Sequence, residues 1–281
     1  MTIPRALTIA GSDSGGGAGI QADLKTFSAF GAFGMSAIAA LTAQNTLGVT
    51  GIHAVPIDFL ALQIDAVMSD IGANGVKTGM LATAAVVELV AAKVREHRIE
   101  NLVVDPVMVA KSGHTLLEEG AQNAVREVLL PLALVATPNL PEAEVLTKMR
   151  IEGLDGMREA AVRLHDRGVR YAVIKGGHLE NTSESIDIVF DGREHIEIRA
   201  PRISTRNTHG TGCTFSAAIA AGLARGLSPI AAIRRAKRYV TRAIEGGLAI
   251  GAGHGPTNHL AGVTSEWTGP EEKEPSSPAI R

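Results

Sequence analysis

The sequence predicts an α/β protein with a mostly parallel central sheet and an antiparallel hairpin at the sheet edge. Short β-branched or apolar runs alternate with longer alanine-rich helical patterns along most of the chain, as βα units do. Asp191-Gly192 stands between two strand-like runs, a strong hairpin signal. Glycine- and proline-rich turns directly follow several strand-like runs, where open α/β sheets gather their ligands.

In chain order, a strand is expected at residues 6–10, followed by a glycine-rich turn and a helix at 19–30. A strand at 51–56 then leads to a helix at 58–69, and one at 75–78 to a helix at 84–96. Strands at 101–104 and 134–137 flank a helix at 118–130, and short helical patterns at 142–147 and 156–167 precede a strand at 171–175. Runs at 185–190 and 195–200 form the hairpin, and helices at 214–225 and 229–245 close the folded part. The sequence shows no internal repeat. A chain of 281 residues can bury a large core, and one domain is expected over 1–262. The rest, 263–281, is too polar and proline-rich to repay its ordering entropy; it is expected to be a disordered tail carrying the sole tryptophan, Trp267.

Composition narrows the function. With 27 basic against 29 acidic residues and no basic stripe interleaved with aromatics, a nucleic-acid or membrane-surface role is disfavoured. One cysteine excludes an internal disulfide, and single, scattered histidines argue against a structural zinc site. The weakly polar stretch 79–92 carries Glu88 and is too short to span a bilayer. No charged segment precedes an apolar one at the N-terminus, so a cytoplasmic location is expected.

The chemistry lies at the strand ends. Thr208-His209-Gly210-Thr211-Gly212-Cys213 opens a small-residue helix. Its glycines let N–H groups turn inward, and the helix start adds a field that favours an anion there and a thiolate at Cys213. A buried cysteine that merely packs the helix start is the competing reading. Gly11-Ser12-Asp13-Ser14-Gly15-Gly16-Gly17-Ala18-Gly19 implies close approach of backbone to ligand. Gly17 to Ala22 also matches G-x-G-x-x-A, but no acidic residue follows where a ribose would need it. No glycine directly precedes Lys77, so a Walker loop fails there, and Lys77 reads as a strand-end lysine whose head reaches solvent. Asp105, Asn139 and Glu142 offer the hard oxygens that Mg²⁺ takes, although Glu142 and Glu144 also suit a helix start as plain charge compensation. Lys175, ahead of Gly176-Gly177, could meet a phosphate as a point charge. Oxygen ligands, a cation and an anion cradle together suit phosphoryl transfer.

These segments, with Thr42-Ala43-Gln44-Asn45-Thr46, Asp105 to Gly113, Thr137 to Glu144 and Lys175-Gly176-Gly177-His178, resemble the hydroxymethylpyrimidine/phosphomethylpyrimidine kinases of thiamine biosynthesis, in the ribokinase-like superfamily. The similarity runs from about Arg5 to His259. It implies a three-layer α/β/α fold and ATP-dependent phosphorylation of 4-amino-5-hydroxymethyl-2-methylpyrimidine, then of its monophosphate, with Mg²⁺ and a monovalent cation as candidate cofactors. Gly11, Asp23, Gln44, Met80 and Val107 would bind the pyrimidine. Lys175, Thr208, Gly210 and Gly212 would bind nucleotide, and Gly210, Thr211, Gly212, Cys213 and Lys175 would serve catalysis. A homodimer is expected, and Lys111 to His114 is the candidate lid. Cys213 stands where most sugar kinases of this fold carry an aspartate base, which points to the pyrimidine-kinase branch. Pyridoxal kinases similar to that branch carry the cysteine too, so a pyridoxal kinase remains the alternative, and a non-catalytic pyrimidine or nucleotide sensor a second.

Overall fold

A computed structural model of the chain describes residues 2–108, 119–179 and 182–261. The expected tail with Trp267 and the candidate lid at Lys111 to His114 lie outside the described residues.

The first half runs β1 (Arg5–Ala10), α1 (Gly19–Ala29), β2 (Phe33–Ile38), β3 (Ala40–Gln44), β4 (Val49–Ala54), α2 (Ile57–Asp70), β5 (Gly75–Thr78), α3 (Ala84–Glu96), β6 (Leu102–Val104) and α4 (Glu119–Ala124). The second runs β7 (Val135–Ala136), α5 (Leu140–Thr147), α6 (Gly153–His165), β8 (Tyr171–Ile174), β9 (Glu184–Phe190), β10 (His195–Pro201), α7 (Thr211–Ala224) and α8 (Pro229–Glu245). Eight strands form one sheet in the order β10-β9-β8-β7-β6-β5-β1-β2. β2 through β8 in that order are parallel, and the hairpin β9–β10 adds two antiparallel strands at the edge. At the hairpin tip the Asp191 carboxylate accepts from the N–H groups of Arg193 and Glu194 at 2.8 and 2.9 Å.

Alternation along the strands makes three layers. Leu102, Val104 and Ile174 face a core shared with α3, α5 and α6, whereas Val103 and Val173 face one shared with α1, α7 and α8. α7 is apolar and small nearly all round, Thr214 to Leu223 being buried, so it sits flat on the sheet between α1 and α8. Phe30 and Tyr239 meet edge to face at 5.0 Å beneath it.

Four expectations need correction. The run expected as a sheet strand at 51–56 belongs to β4, which pairs antiparallel with β3 in a separate two-stranded flap. β2 and β3 carry no strong strand signal; Gly34, Ser36 and alanines are poor strand formers, and pairing with β1 or β4 imposes their conformation. The helix expected at 118–130 is α only to Ala124, then a π turn over Val125–Leu129 and a 3₁₀ turn over Leu130–Leu132, since Pro131 has no N–H to continue the α pattern. The helix expected from 214 begins at Thr211, which puts Gly212 and Cys213 in its first turn.

Candidate active site

Strand order reverses between β1 and β5, and an open cleft of about 760 Å³ lies over their carboxyl ends. Gly11 leaves β1 and Met80 follows β5; the Gly11 N–H donates to the Met80 carbonyl at 3.1 Å, and a Cβ on Gly11 would run into the Met80 side chain. Of the sequence-expected site residues, Gly11, Gln44, Met80, Val107, Asp105, Asn139, Glu142, Lys175, Thr208, Gly210, Thr211, Gly212 and Cys213 all line this cleft.

Asp23 does not line it. Its carboxylate is fully buried behind the cleft, where it accepts from Lys77 Nζ at 2.9 and 3.1 Å and from the Thr8 hydroxyl at 2.6 Å. Burial raises the Asp23 pKa against the pull of Lys77, while Asp23 and its acidic neighbours outweigh burial at Lys77 and hold its ammonium charged. The reading of Lys77 as a lysine with its head in solvent is therefore wrong, because a buried carboxylate on α1 supplies a partner that β5 alone does not reveal.

The anion cradle forms where α7 begins. Gly210 caps the helix at φ 82°, and a Cβ there would strike the Gly17 carbonyl, so this position takes only glycine. Thr211 donates its N–H to the Thr208 carbonyl at 3.3 Å, and Thr214 donates to the Gly210 carbonyl at 2.8 Å. Among the described residues nothing accepts from the N–H groups of Gly210, Gly212 or Cys213. Three donors thus stand at the start of α7, where the helix field favours an anion.

Cys213 lies just inside this turn, half-buried. Burial pushes its thiol up to about 11, with Lys77 and the Gly19 N–H opposing. The expected thiolate is corrected on this point: desolvation, with Asp23 and Asp105, outweighs Lys77 and the Gly19 N–H.

On the facing wall, Asp105 follows β6 and Lys175 follows β8. Lys175 Nζ lies 3.1 Å from Asp105 Oδ1, Thr137 donates to the same oxygen at 3.3 Å, and Ser216 of α7 donates to Oδ2 at 3.2 Å. Burial raises the Asp105 pKa, but Lys175 and Lys77 outweigh it and hold the carboxyl below its usual value. Asn139 and Glu142 make a capping box at the start of α5. The Glu142 N–H donates to Asn139 Oδ1 at 2.9 Å and the Asn139 N–H to Glu142 Oε2 at 2.8 Å. Burial lifts Glu142 to about 7, with Lys175 opposing and Asp105 reinforcing the rise.

Two residues that the sequence reading passed over complete the other wall. The Asp13 carboxylate accepts from the N–H groups of Gly15, Gly17 and Ala18 at 2.8, 3.1 and 2.8 Å and meets His209 Nε2 at 2.8 Å. Burial works against that charge, but His209 and the amides outweigh it and lower the Asp13 pKa. The pair ties the glycine loop to the cradle. Both residues stood inside quoted motifs, but 196 positions separate them and nothing local signals their contact. The Gln44 carboxamide, at the end of β3, lies 3.4 Å from His209 Nε2 and 3.2 Å from Thr42 Oγ1.

A donor-lined helix start facing a lysine and two carboxylates, over the switch point of a three-layer parallel sheet, defines a phosphotransferase of ribokinase-like fold. The chain belongs to the phosphomethylpyrimidine kinase family, which matches residues 13–258. It is 51% identical over 261 residues to the hydroxymethylpyrimidine/phosphomethylpyrimidine kinase of Bacillus subtilis, covering 93% of this chain and 96% of that protein. It is 56% identical over 254 residues to the thiamine biosynthesis bifunctional protein of Geobacter sulfurreducens, covering 90% of this chain but only 52% of the longer protein. Among solved structures, the Bacillus subtilis pyridoxal kinase in its ADP complex matches with a TM-score of 0.87 at 40% identity, covering 92% of this chain and 98% of that one. Among the described residues no helix is long and apolar enough to cross a membrane.

Proposed function

We propose that this chain transfers the γ-phosphoryl group of ATP to the hydroxymethyl group of 4-amino-5-hydroxymethyl-2-methylpyrimidine, and then a second phosphoryl group to the monophosphate. The observation that carries this reading is the set of N–H groups of Gly210, Gly212 and Cys213, without an acceptor among the described residues, in the cleft that Lys175 and Gln44 also line. Family membership, and an identity of 51% to a kinase of that name against 40% to the pyridoxal kinase structure, favour the pyrimidine over pyridoxal.

In this reading the three amides hold the migrating phosphoryl group, and Lys175 neutralises charge that develops toward the leaving ADP. Thr208 and Thr211 shape the nucleotide side of the cradle, while Gly11, Met80 and Val107 border the pyrimidine. Asp23 acts behind them by holding Lys77 beneath Cys213. Cys213 takes the hydroxymethyl proton in the first transfer through the small fraction that is thiolate at neutral pH, its pKa being raised to about 11. The second needs little base, because the attacking phosphate oxygen is already ionised near neutral pH.

The donor set suits Mg²⁺. Asp105 and Glu142 are buried close enough for Asp105 to help raise the Glu142 pKa, a repulsion that a divalent cation relieves. Asn139 already spends one lone pair of its oxygen on the cap and keeps the other. Bound there, the cation would neutralise phosphate charge.

The test incubates the protein with Mg-ATP and either the aminopyrimidine alcohol or pyridoxal and measures ADP. Turnover of the pyrimidine above that of pyridoxal supports the reading; the reverse order assigns a pyridoxal kinase, and no ADP with either assigns a sensor. The expected homodimer is checked by sedimentation velocity.

A further inference from the structure

A further ion pair lines the cleft, and its carboxylate grips the turn that carries Lys175. The β8–β9 ladder ends where Ile174 faces Ile188. Beyond it the chain passes through Lys175 into a 3₁₀ turn at Gly176–His178, and a side chain takes over from the ladder: Asp187 Oδ1 accepts from the Gly176 N–H at 3.0 Å. Ile186 and Ile188 belong to the core on one face of the sheet and Val189 to the core under α8, so alternation places Asp187 on the α8 face. There Lys237 of α8 donates to Asp187 Oδ2 at 2.8 Å and to Ser185 Oγ at 3.1 Å. Lys237 is buried on a helix face otherwise made of Ile233, Ala236 and Val240, a setting that a lysine tolerates only with a partner.

We propose that Asp187, held charged and in place by Lys237, positions Lys175 for phosphoryl transfer through its bond to the Gly176 N–H. The backbone at Lys175 is gripped from two sides. Its own N–H donates to the Pro138 carbonyl at 2.9 Å, and the next N–H is taken by Asp187. A Cβ on Gly176 would strike the Ile186 carbonyl, so the turn lies directly against β9. With both grips made, the Lys175 ammonium stands 3.1 Å from Asp105 Oδ1. Without Asp187 the turn can shift and carry the ammonium with it, and a misplacement of about 1 Å costs up to about 10²-fold in rate. Lys237 matters because a charged acceptor binds an N–H more strongly than a neutral one, and a buried carboxylate stays charged only beside a cation. Asp187 and Lys237 are positioning residues: they act through Lys175. The inference rests on the proposed phosphoryl transfer and adds what keeps its cation in place.

The experiment is a double-mutant cycle on kcat, run on the full chain with Mg-ATP and the aminopyrimidine alcohol, with a urea titration of every variant. Asp187→Ala, which frees the Gly176 N–H, should lower kcat about 10–30-fold while KM for the pyrimidine changes less than about threefold. Asp187→Asn keeps an oxygen for that N–H and should lose less than about fivefold. Lys237→Met should fall between the two, and Lys237→Arg, which keeps the charge, should retain most of the turnover. In a Lys175→Met background, Asp187→Ala should cost less than about threefold more, because residues that act through one group are not additive. A pair that only braces α8 against the sheet would lower stability in both backgrounds without that non-additivity. Should Asp187→Ala fail to fold, Lys237→Met in the same two backgrounds decides. An unchanged kcat, an equal loss of kcat in both backgrounds, or a rise in KM for ATP at constant kcat, the mark of direct contact with nucleotide, overturns the positioning role and leaves the kinase reading intact. A wild-type chain that makes no ADP from the alcohol overturns both.

Discussion

Two buried lysine–carboxylate pairs stand at the carboxyl end of the sheet, Lys77 of β5 with Asp23 of α1 and Lys175 after β8 with Asp105 after β6, and they differ in what water can reach. Lys77 and Asp23 have side-chain exposures of 0% each, whereas Lys175 keeps 16% beside Asp105 at 2%. The first pair exposes no side-chain surface although Lys77 itself lines the cleft floor, so its charges answer to each other and to their immediate neighbours. The second opens onto the cleft, where its lysine can meet a ligand. Similar chemistry yields a strut in one place and a working cation in the other, and desolvation makes the difference. Cys213 lies in the electrostatic reach of both lysines, which ties the two regions together.

The largest effect expected follows from breaking the sealed pair. Lys77→Met strands the Asp23 carboxylate and should cost about 3–5 kcal/mol of unfolding free energy in urea titrations. Replacing both partners by apolar residues, Lys77→Met with Asp23→Leu, should recover much of the loss. A single-variant loss below about 1 kcal/mol, the range of exposed pairs, would show that water reaches the pair and that the contrast is misplaced.

Breaking the open pair should show up in turnover. Lys175→Met is expected to lower kcat on the order of 10²–10³-fold, as loss of one charge-stabilising donor does, with a smaller stability loss than Lys77→Met. Equal stability losses in the two variants would erase the distinction between strut and working cation.

A third test extends the contrast to imidazoles. His259, buried against the Thr214 hydroxyl at 3.0 Å, has its pKa lowered from 6.5 to about 4 by burial. The unfolded chain therefore binds a proton that the folded chain refuses between those values. Stability falls as pH drops through 6.5, and the loss reaches up to about 3 kcal/mol near pH 4. His259→Gln should remove that component when the two denaturation series are compared; parallel curves would show that His259 is not held neutral.

The smallest effect is the most diagnostic for chemistry. With a Cys213 thiol near 11, kcat/KM for the alcohol should rise with pH across the alkaline range, while the second transfer stays flat there. Cys213→Ala should slow the first transfer about 10²-fold at neutral pH, the low end of general-base effects, and the second by far less. Equal losses in single-turnover assays of both steps would sink the base role and leave Cys213 as a packing element.

Much of the fold was legible. The hairpin at Asp191-Gly192, the strand at 75–78 and the helices ending at Glu96 and Glu245 follow from turn chemistry and periodicity. β2 and β3 were not, because small residues take a strand conformation only when a neighbour offers its ladder. Nearly every expected site residue reached the cleft, since each followed a strand and the strand ends converge. Asp23 did not, because its helix turns it under the floor. Asp13 and His209 were visible as letters but not as a pair.

By itself the sequence determined what neighbours a few positions apart can settle: the alternation of elements, the turns, the order of the motifs and so the family. The tertiary structure decided which charges are buried and which are open, and where the thiol's proton rests. Those properties depend on desolvation and on partners brought across the fold, such as Asp13 to His209, and distance in space rather than along the chain controls both.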